Sequence, residues 1–370
     1  MKGNGMRGTD APLEAFFYLL RCGLWQQADG LPACFPLSLQ QWRAVYELAR
    51  QQTVRGLVFR GICLMPEAVM PPDGELVRWA ACAEEIERKN RLMNRALADL
   101  CSRFCAKGLQ PVVLKGQGVA RCYAEPLLRE CGDIDLYFPQ PQEREQAEHL
   151  LQQAGVCLMQ HADGSTSYRW MGVTVEHHPS AFDLQGRKVL ARLQQLERKL
   201  GFCTIWLDSV QPSAEVTVPS PVLSLVLLNA HILKHTLGRG VGLRQLCDLA
   251  RFMASVPAAD GREEVLDVCR LAGITRWTGL LQALLAEHLG LPEQALLLPP
   301  ERTDVASLLR RVLQGGNFGR HRWDTDAPQG GWRRKLQTAA CLLQNAGFAW
   351  RYAPREAVCL FVQLVKGQKK

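Results

Sequence analysis

The sequence predicts an α+β chain, a small mixed sheet set between two helical regions. Three observations predict it. Apolar residues recur at three- and four-residue spacing up to about residue 108 and again from about residue 183. Short runs of strand character are confined to the stretch between. Glycine and proline punctuate every change of pattern. The expected division is residues 1–108 (helical), 109–182 (sheet core) and 183–370 (helical).

Asp10-Ala11-Pro12 reads as a helix start with proline in the first turn. Glu14 interrupts the apolar run Leu13–Leu20, so no targeting segment is assigned there. Leu39–Arg50, Gly56–Leu64 and Leu76–Cys105 follow as amphipathic helices, the last ended by Gly108. Pro111–Leu114 is a short strand that runs into the turn Lys115-Gly116-Gln117-Gly118, and Val119–Ala124 is a short helix closed by Pro126. Gly132–Phe138 is a second strand. Its alternation puts Ile134, Leu136 and Phe138 on one face and Asp133, Asp135 and Tyr137 on the other. A helix over Gln142–Ala154 follows, and then a hairpin in which Ser167–Trp170 turns at Met171-Gly172 into Val173–His178. Val222–Leu237, Leu243–Ala254, Glu263–Leu271 and Trp277–Leu289 carry helical stripes.

Composition bounds the class. Hydrophobic residues make up 47% of the 370 and charged residues 22%, which suits a globular fold with an ample core. No apolar run reaches the ~18 residues of a membrane span. The 14 cysteines are scattered and form no C-x-x-C pair, which reads as free thiols in a reducing cytoplasm rather than a disulfide or zinc framework. Between Arg310 and Lys370, 12 Lys/Arg stand against three acids, so this stretch carries the whole net charge of +8. Such a surface attracts nucleotides or nucleic acid, or is a solvated basic face. Trp323, Trp332 and Trp350 interleave with arginines there, and an amphipathic helix from Trp332 accounts for the pattern more simply than a stacking platform does.

The sharpest motif is Gly132-Asp133-Ile134-Asp135-Leu136. Carboxylates at i and i+2 of a strand share a face and can reach one cation, or two adjacent ones. Half-exposed strands also place acids on their wet side without any metal. Upstream, Lys115-Gly116 offers a phosphate-binding turn, and downstream Val175-Glu176-His177 offers a third acid.

Leu114-Lys115-Gly116, Arg129, Gly132-Asp133-Ile134-Asp135-Leu136 and Val175-Glu176-His177 together resemble the uncharacterised bacterial nucleotidyltransferase family of the DNA polymerase β-like superfamily. The stretch from His231-x-x-x-His235 to Gly240-Val241-Gly242-Leu243-Arg244 and on to Asp248 is similar to that family's helical C-terminal part. The resemblance implies transfer of NMP from an NTP to a hydroxyl acceptor, a small molecule or a protein, with Mg²⁺ on Asp133, Asp135 and Glu176. Glu176 would complete the site or activate the acceptor. The superfamily's turn is commonly Gly-Ser; here it is Gly116-Gln117, preceded by Lys115, which can supply a phosphate contact as a point charge.

Other residues carry two readings each. Arg129 is a bidentate phosphate clamp or an ordinary surface arginine. His178 shares the Glu176 face and His177 points the other way; either is a general base or a hydrogen-bonding partner of the site, and for His177 the other reading is a packed strand histidine. His231 and His235 line the nucleotide cleft or form a buried pair; zinc would need a third ligand. Arg244 captures an anion or pairs with Asp248 at i,i+4. A non-catalytic nucleotide- or partner-binding module and an RNA-modifying enzyme are the competing functions.

Overall fold

The computed structural model describes residues 11–316, except 208–209, 211–212, 239 and 258–260, together with residues 346–359. It is an α+β fold with one mixed seven-stranded sheet. Helices α1 (Ala11–Trp25), α2 (Leu39–Gln52), α3 (Arg55–Ile62) and α4 (Asp73–Cys105) build the N-terminal region. Helix α2 opens with a reciprocal capping box between Ser38 and Gln41, which satisfies two otherwise unpaired backbone N–H groups. The 33-residue α4 turns its apolar stripe, with Met93, Leu97, Leu100 and Phe104, onto the sheet.

The strands are β1 (Val112–Val113), β2 (Ile134–Tyr137), β3 (Met159–Gln160), β4 (Thr166–Trp170), β5 (Val173–His178), β6 (Phe202–Leu207) and β7 (Ala214–Pro219). They lie in the order β3-β4-β5-β2-β1-β7-β6, with β2–β5 and β1–β7 parallel and the other pairs antiparallel. β4 and β5 form the hairpin expected from the sequence, and Met171 and Gly172 both hold the positive φ that its two-residue turn needs. Ile134, Leu136, Val175 and Tyr168 face α4 and helix α6 (Pro141–Gln153) in a buried core. The opposite face carries Asp135 and Glu176.

Past residue 183, where the sequence reads as mainly helical, the structure also carries two strands. Helix α7 (Arg187–Leu200) leads into the β6–β7 hairpin, and β7 joins the sheet beside β1 through Val112 and Thr217. The sheet therefore draws on residues beyond 182. Helix α5 (Gln117–Ala120) is a single turn after β1. Helices α8 (Pro221–Leu237), α9 (Leu243–Ser255), α10 (Arg262–Ala272), α11 (Thr275–Leu289) and α12 (Val305–Gly315) complete the apolar core.

Residues 346–352 and 354–359 are also helical. They dock through the Tyr352 hydroxyl, which donates to Asp304 at 2.6 Å, and through Arg355, which donates to the Leu271 carbonyl at 2.5 Å. Trp350 lies there and is exposed. Trp323, Trp332 and most of the basic C-terminal stretch lie outside the described residues. No helix among the described residues is long and apolar enough to cross a membrane.

Candidate active site

Parallel pairing of β2 with β5 sets Asp135 directly opposite Glu176, and Tyr137 opposite His178. The pleat sends Asp135, Glu176 and His178 to the same face, while His177 turns into the core. His177 is fully buried there, 2.9 Å from the Tyr168 hydroxyl, as a packed strand histidine should be. Ligand atoms of Asp135, Glu176 and His178 lie within 4.8 Å of one another, the one such trio of His, Cys, Asp or Glu among the described residues.

A cleft of about 270 Å³ opens over this trio. Lys115, Gly116, Asp133, Asp135, Glu176 and His178 line its sheet side, and His231, His235 and Arg244 line the wall made by α8 and α9. Arg129 borders it too. Lys115, Gly116, Arg129, Asp133, Asp135, Glu176, His178, His231, His235 and Arg244 thus meet in one place, whereas Gln117 and His177 do not line it.

The charges are paired with care. His178 Nε2 lies 2.6 Å from Asp135 Oδ1, and Lys115 Nζ lies 3.4 Å from the same oxygen. Burial opposes ionisation of Asp135, but Lys115 and the His178 hydrogen bond outweigh it and hold the carboxyl below its usual range. Asp133 is pushed the other way, chiefly by the Asp135 charge and then by burial. Six carboxylates face four Lys/Arg in this cleft, and the excess of negative charge sits on the sheet side. Oxygen donors in a negatively charged hollow, one of them made harder to ionise by its neighbour, fit a divalent cation.

Gly116 holds φ 53° and ψ −110°, a backbone conformation that a side chain would strain, and so lets the chain double back beneath the cleft. Gln117 turns away from it. Its amide donates to Asn94 and, at 3.4 Å, to Asn90, and Asn90 in turn donates to the Leu127 and Arg129 carbonyls at 2.8 Å. The residue in the usual serine position therefore ties the turn to α4 and the 127–129 loop.

Arg129 is engaged as well. Its guanidinium grips Asp248 through Nε at 2.6 Å and Nη2 at 2.7 Å, and the Tyr123 hydroxyl donates to the same carboxylate at 2.7 Å. Asp248 is thus the partner of Arg129, and the i,i+4 pairing with Arg244 does not form. Arg244 donates to the Glu130 carbonyl at 3.3 Å, and its buried Nε has no partner among the described residues. It lies so close to Gly132 that a Cβ there would stand 3.2 Å from Nη1. A second cleft of about 430 Å³, lined also by Arg55, Lys89 and Thr174, shares Gly132, Asp133 and Arg244 with the first.

Three cleft residues give no local sequence signal. Asp183 accepts from Lys234 Nζ at 2.7 Å and lies 3.1 Å from His231 Nδ1. Asp163 accepts from the Ser165 backbone and hydroxyl at 3.1 and 2.8 Å. Both acids, with Lys234, reach the cleft from segments whose meeting no spacing announces.

A family model described as an uncharacterised nucleotidyltransferase matches residues 38–290. The chain belongs to that family and is a nucleotidyltransferase. Comparison with curated proteins and with solved structures found no match. The matched span holds every strand and every residue lining the transferase's main cleft.

The buried histidines give the transferase a predictable acid response. Burial, then the nearby Lys115 charge, lowers His231 to about 4, and burial also lowers His177, His235 and His288. Each stabilises the fold fully above the unfolded value near ~6.5 and loses up to about 1.4 kcal/mol per pH unit as pH falls toward its folded value. Glu356, raised by burial to about 7, Glu197, raised by burial, and Asp133, raised chiefly by the Asp135 charge, act in the opposite sense but are fewer. Urea unfolding is expected to show stability falling between about pH 6.5 and about pH 4.5. A flat or rising profile would contradict this balance.

Proposed function

We propose that the chain transfers a nucleoside monophosphate from an NTP to a hydroxyl acceptor, a small molecule or a protein, and does so as a DNA polymerase β-like enzyme of the bacterial cytoplasm. The observation that carries this reading is the register of β2 and β5, which sets Asp135 opposite Glu176 beside the Lys115-Gly116 turn. Asp133, Asp135 and Glu176 are the residues to hold Mg²⁺, and His178 keeps Asp135 ionised and oriented through their 2.6 Å contact. Bound there, the cation would offset the triphosphate charge and acidify the attacking hydroxyl.

The protein's own groups have distinct tasks. Lys115 and Arg244 supply positive charge from opposite walls, and the orphaned Nε of Arg244 is a donor awaiting an anion. His231, neutral and tied to Asp183, and His235 line the nucleotide's side of the cleft. The second cleft, which meets the first at Asp133, is the natural approach for the acceptor. Its oxygen attacks the α-phosphorus, Glu176 takes the hydroxyl proton, and the bond to the β-phosphate oxygen breaks with pyrophosphate leaving. Gln117 contributes by shaping the turn. Incubating the protein with each NTP, Mg²⁺ and a cell extract, and following pyrophosphate release, tests the reading. Release that needs the extract, and is lost with EDTA, supports it; no release with any NTP sinks it.

A further inference from the structure

Under α8 the main cleft runs on into a pocket of about 230 Å³, and the two share Asp163, His178, Asp183 and Lys234. Phe182, Ala230, Leu233 and Leu237 give the pocket apolar walls, and Glu356 lines it from the C-terminal helical segment. Glu356 is only 4% exposed. Its Oε1 accepts from the Gln185 backbone N–H at 3.1 Å, and its other oxygen has no hydrogen bond among the described residues. Ser180 is bonded to Phe182, Ser165 to Asp163, and Lys234 to Asp183, so those groups are already engaged.

We propose that Glu356 reads the base of the bound nucleotide and selects guanine. The inference rests on the nucleotidyl-transfer reading, because it needs an NTP whose phosphates lie at Asp133 and Asp135. A carboxylate only accepts hydrogen bonds, and a pocket walled in part by Phe182, Leu233 and Leu237 suits a flat heterocycle. Guanine alone among the four bases presents two adjacent N–H donors, N1–H and the 2-amino group, on one edge. Adenine, cytosine and uracil would each set an acceptor against a carboxylate oxygen. Burial pushes the Glu356 carboxyl up to about 7, so a donor pair also supplies the partner that favours its ionised form. Glu356 lies beyond the residues 38–290 shared with the family, which makes base choice a property of this chain's own C-terminal segment.

Calorimetric titration of the full chain with Mg²⁺ and GTP, ITP, ATP, CTP or UTP tests this. ITP is the sharpest probe, since it lacks only the 2-amino group. Wild type is expected to bind GTP roughly 10- to 100-fold more tightly than ITP or ATP. Glu356→Gln should bring the GTP/ITP ratio to within about threefold and tighten ATP, because the amide can pair with adenine's amino donor and ring-nitrogen acceptor. The wild-type GTP/ITP ratio decides the question even if the variant folds poorly. Equal affinity for all NTPs, or a ratio that survives Glu356→Gln, overturns guanine selection and leaves nucleotidyl transfer standing. Equal weakening of every NTP by Glu356→Gln also overturns it, placing the carboxyl on the sugar. Failure of wild type to bind any NTP overturns both readings.

Discussion

Asp135→Asn is expected to lower NMP transfer by about three orders of magnitude, the several kcal/mol of charge stabilisation that a metal site supplies. Asp135 sits opposite Glu176 in the sheet, 2.6 Å from His178 and 3.4 Å from Lys115, so its charge organises three neighbours at once. The amide keeps the shape and discards the charge. Divalent-cation binding, followed by calorimetry, should weaken in parallel with turnover. Lys115 loses its nearest counter-charge, yet Asp133 becomes easier to ionise because the Asp135 charge no longer opposes it. Folded content should therefore survive, which circular dichroism can check. Activity within about tenfold of wild type would remove Asp135 from the reaction.

The second large effect falls on stability. Arg129→Ala should cost about 3–5 kcal/mol, because it strands a buried carboxylate whose fork-shaped partner is gone. Both side chains of the Arg129–Asp248 pair are 6% exposed, and Tyr123 alone cannot neutralise Asp248. The pair fastens the loop before Asp133 to α9, so the damage spreads to the cleft. Arg129→Lys restores the charge without the two parallel hydrogen bonds and should recover only part of the loss. Urea unfolding measures both variants. If Arg129→Ala unfolds at the wild-type midpoint but loses activity, Arg129 serves a ligand rather than Asp248.

These two residues show what the sequence makes legible. The alternation along Ile134–Tyr137 that turns Asp135 from the core, the Met171-Gly172 hairpin and the opposite facing of His177 and His178 follow from local periodicity, and the structure has all three. Local periodicity also carries α7, where Val189, Leu193 and Leu196 recur at helical spacing, and β6, where Ile205 and Leu207 alternate. Those signals are short, and they lie in a stretch dominated by long helices. Partnerships across the chain are another matter. Arg129 and Asp248 are 119 residues apart, and Asp183 meets His231 across 48, so nothing in either neighbourhood specifies the pair. Gln117 illustrates the limit most sharply: the turn it occupies is legible, but its side chain answers to Asn90 and Asn94 on a distant helix. Arg244 and Asp248 satisfy i,i+4 spacing, yet a better-placed guanidinium wins the carboxylate.

If the Asp133/Asp135/Glu176 face acts as proposed, it moves the α-phosphoryl group of an NTP to an acceptor. Parallel incubations of the protein with α-labelled and γ-labelled NTP, Mg²⁺ and cell extract test it most directly. The acceptor is expected to be labelled from the α position alone, with the label lost on adding EDTA and on Asp135→Asn. Acceptor labelled from the γ position, or α-label transfer unaffected by Asp135→Asn, would contradict it.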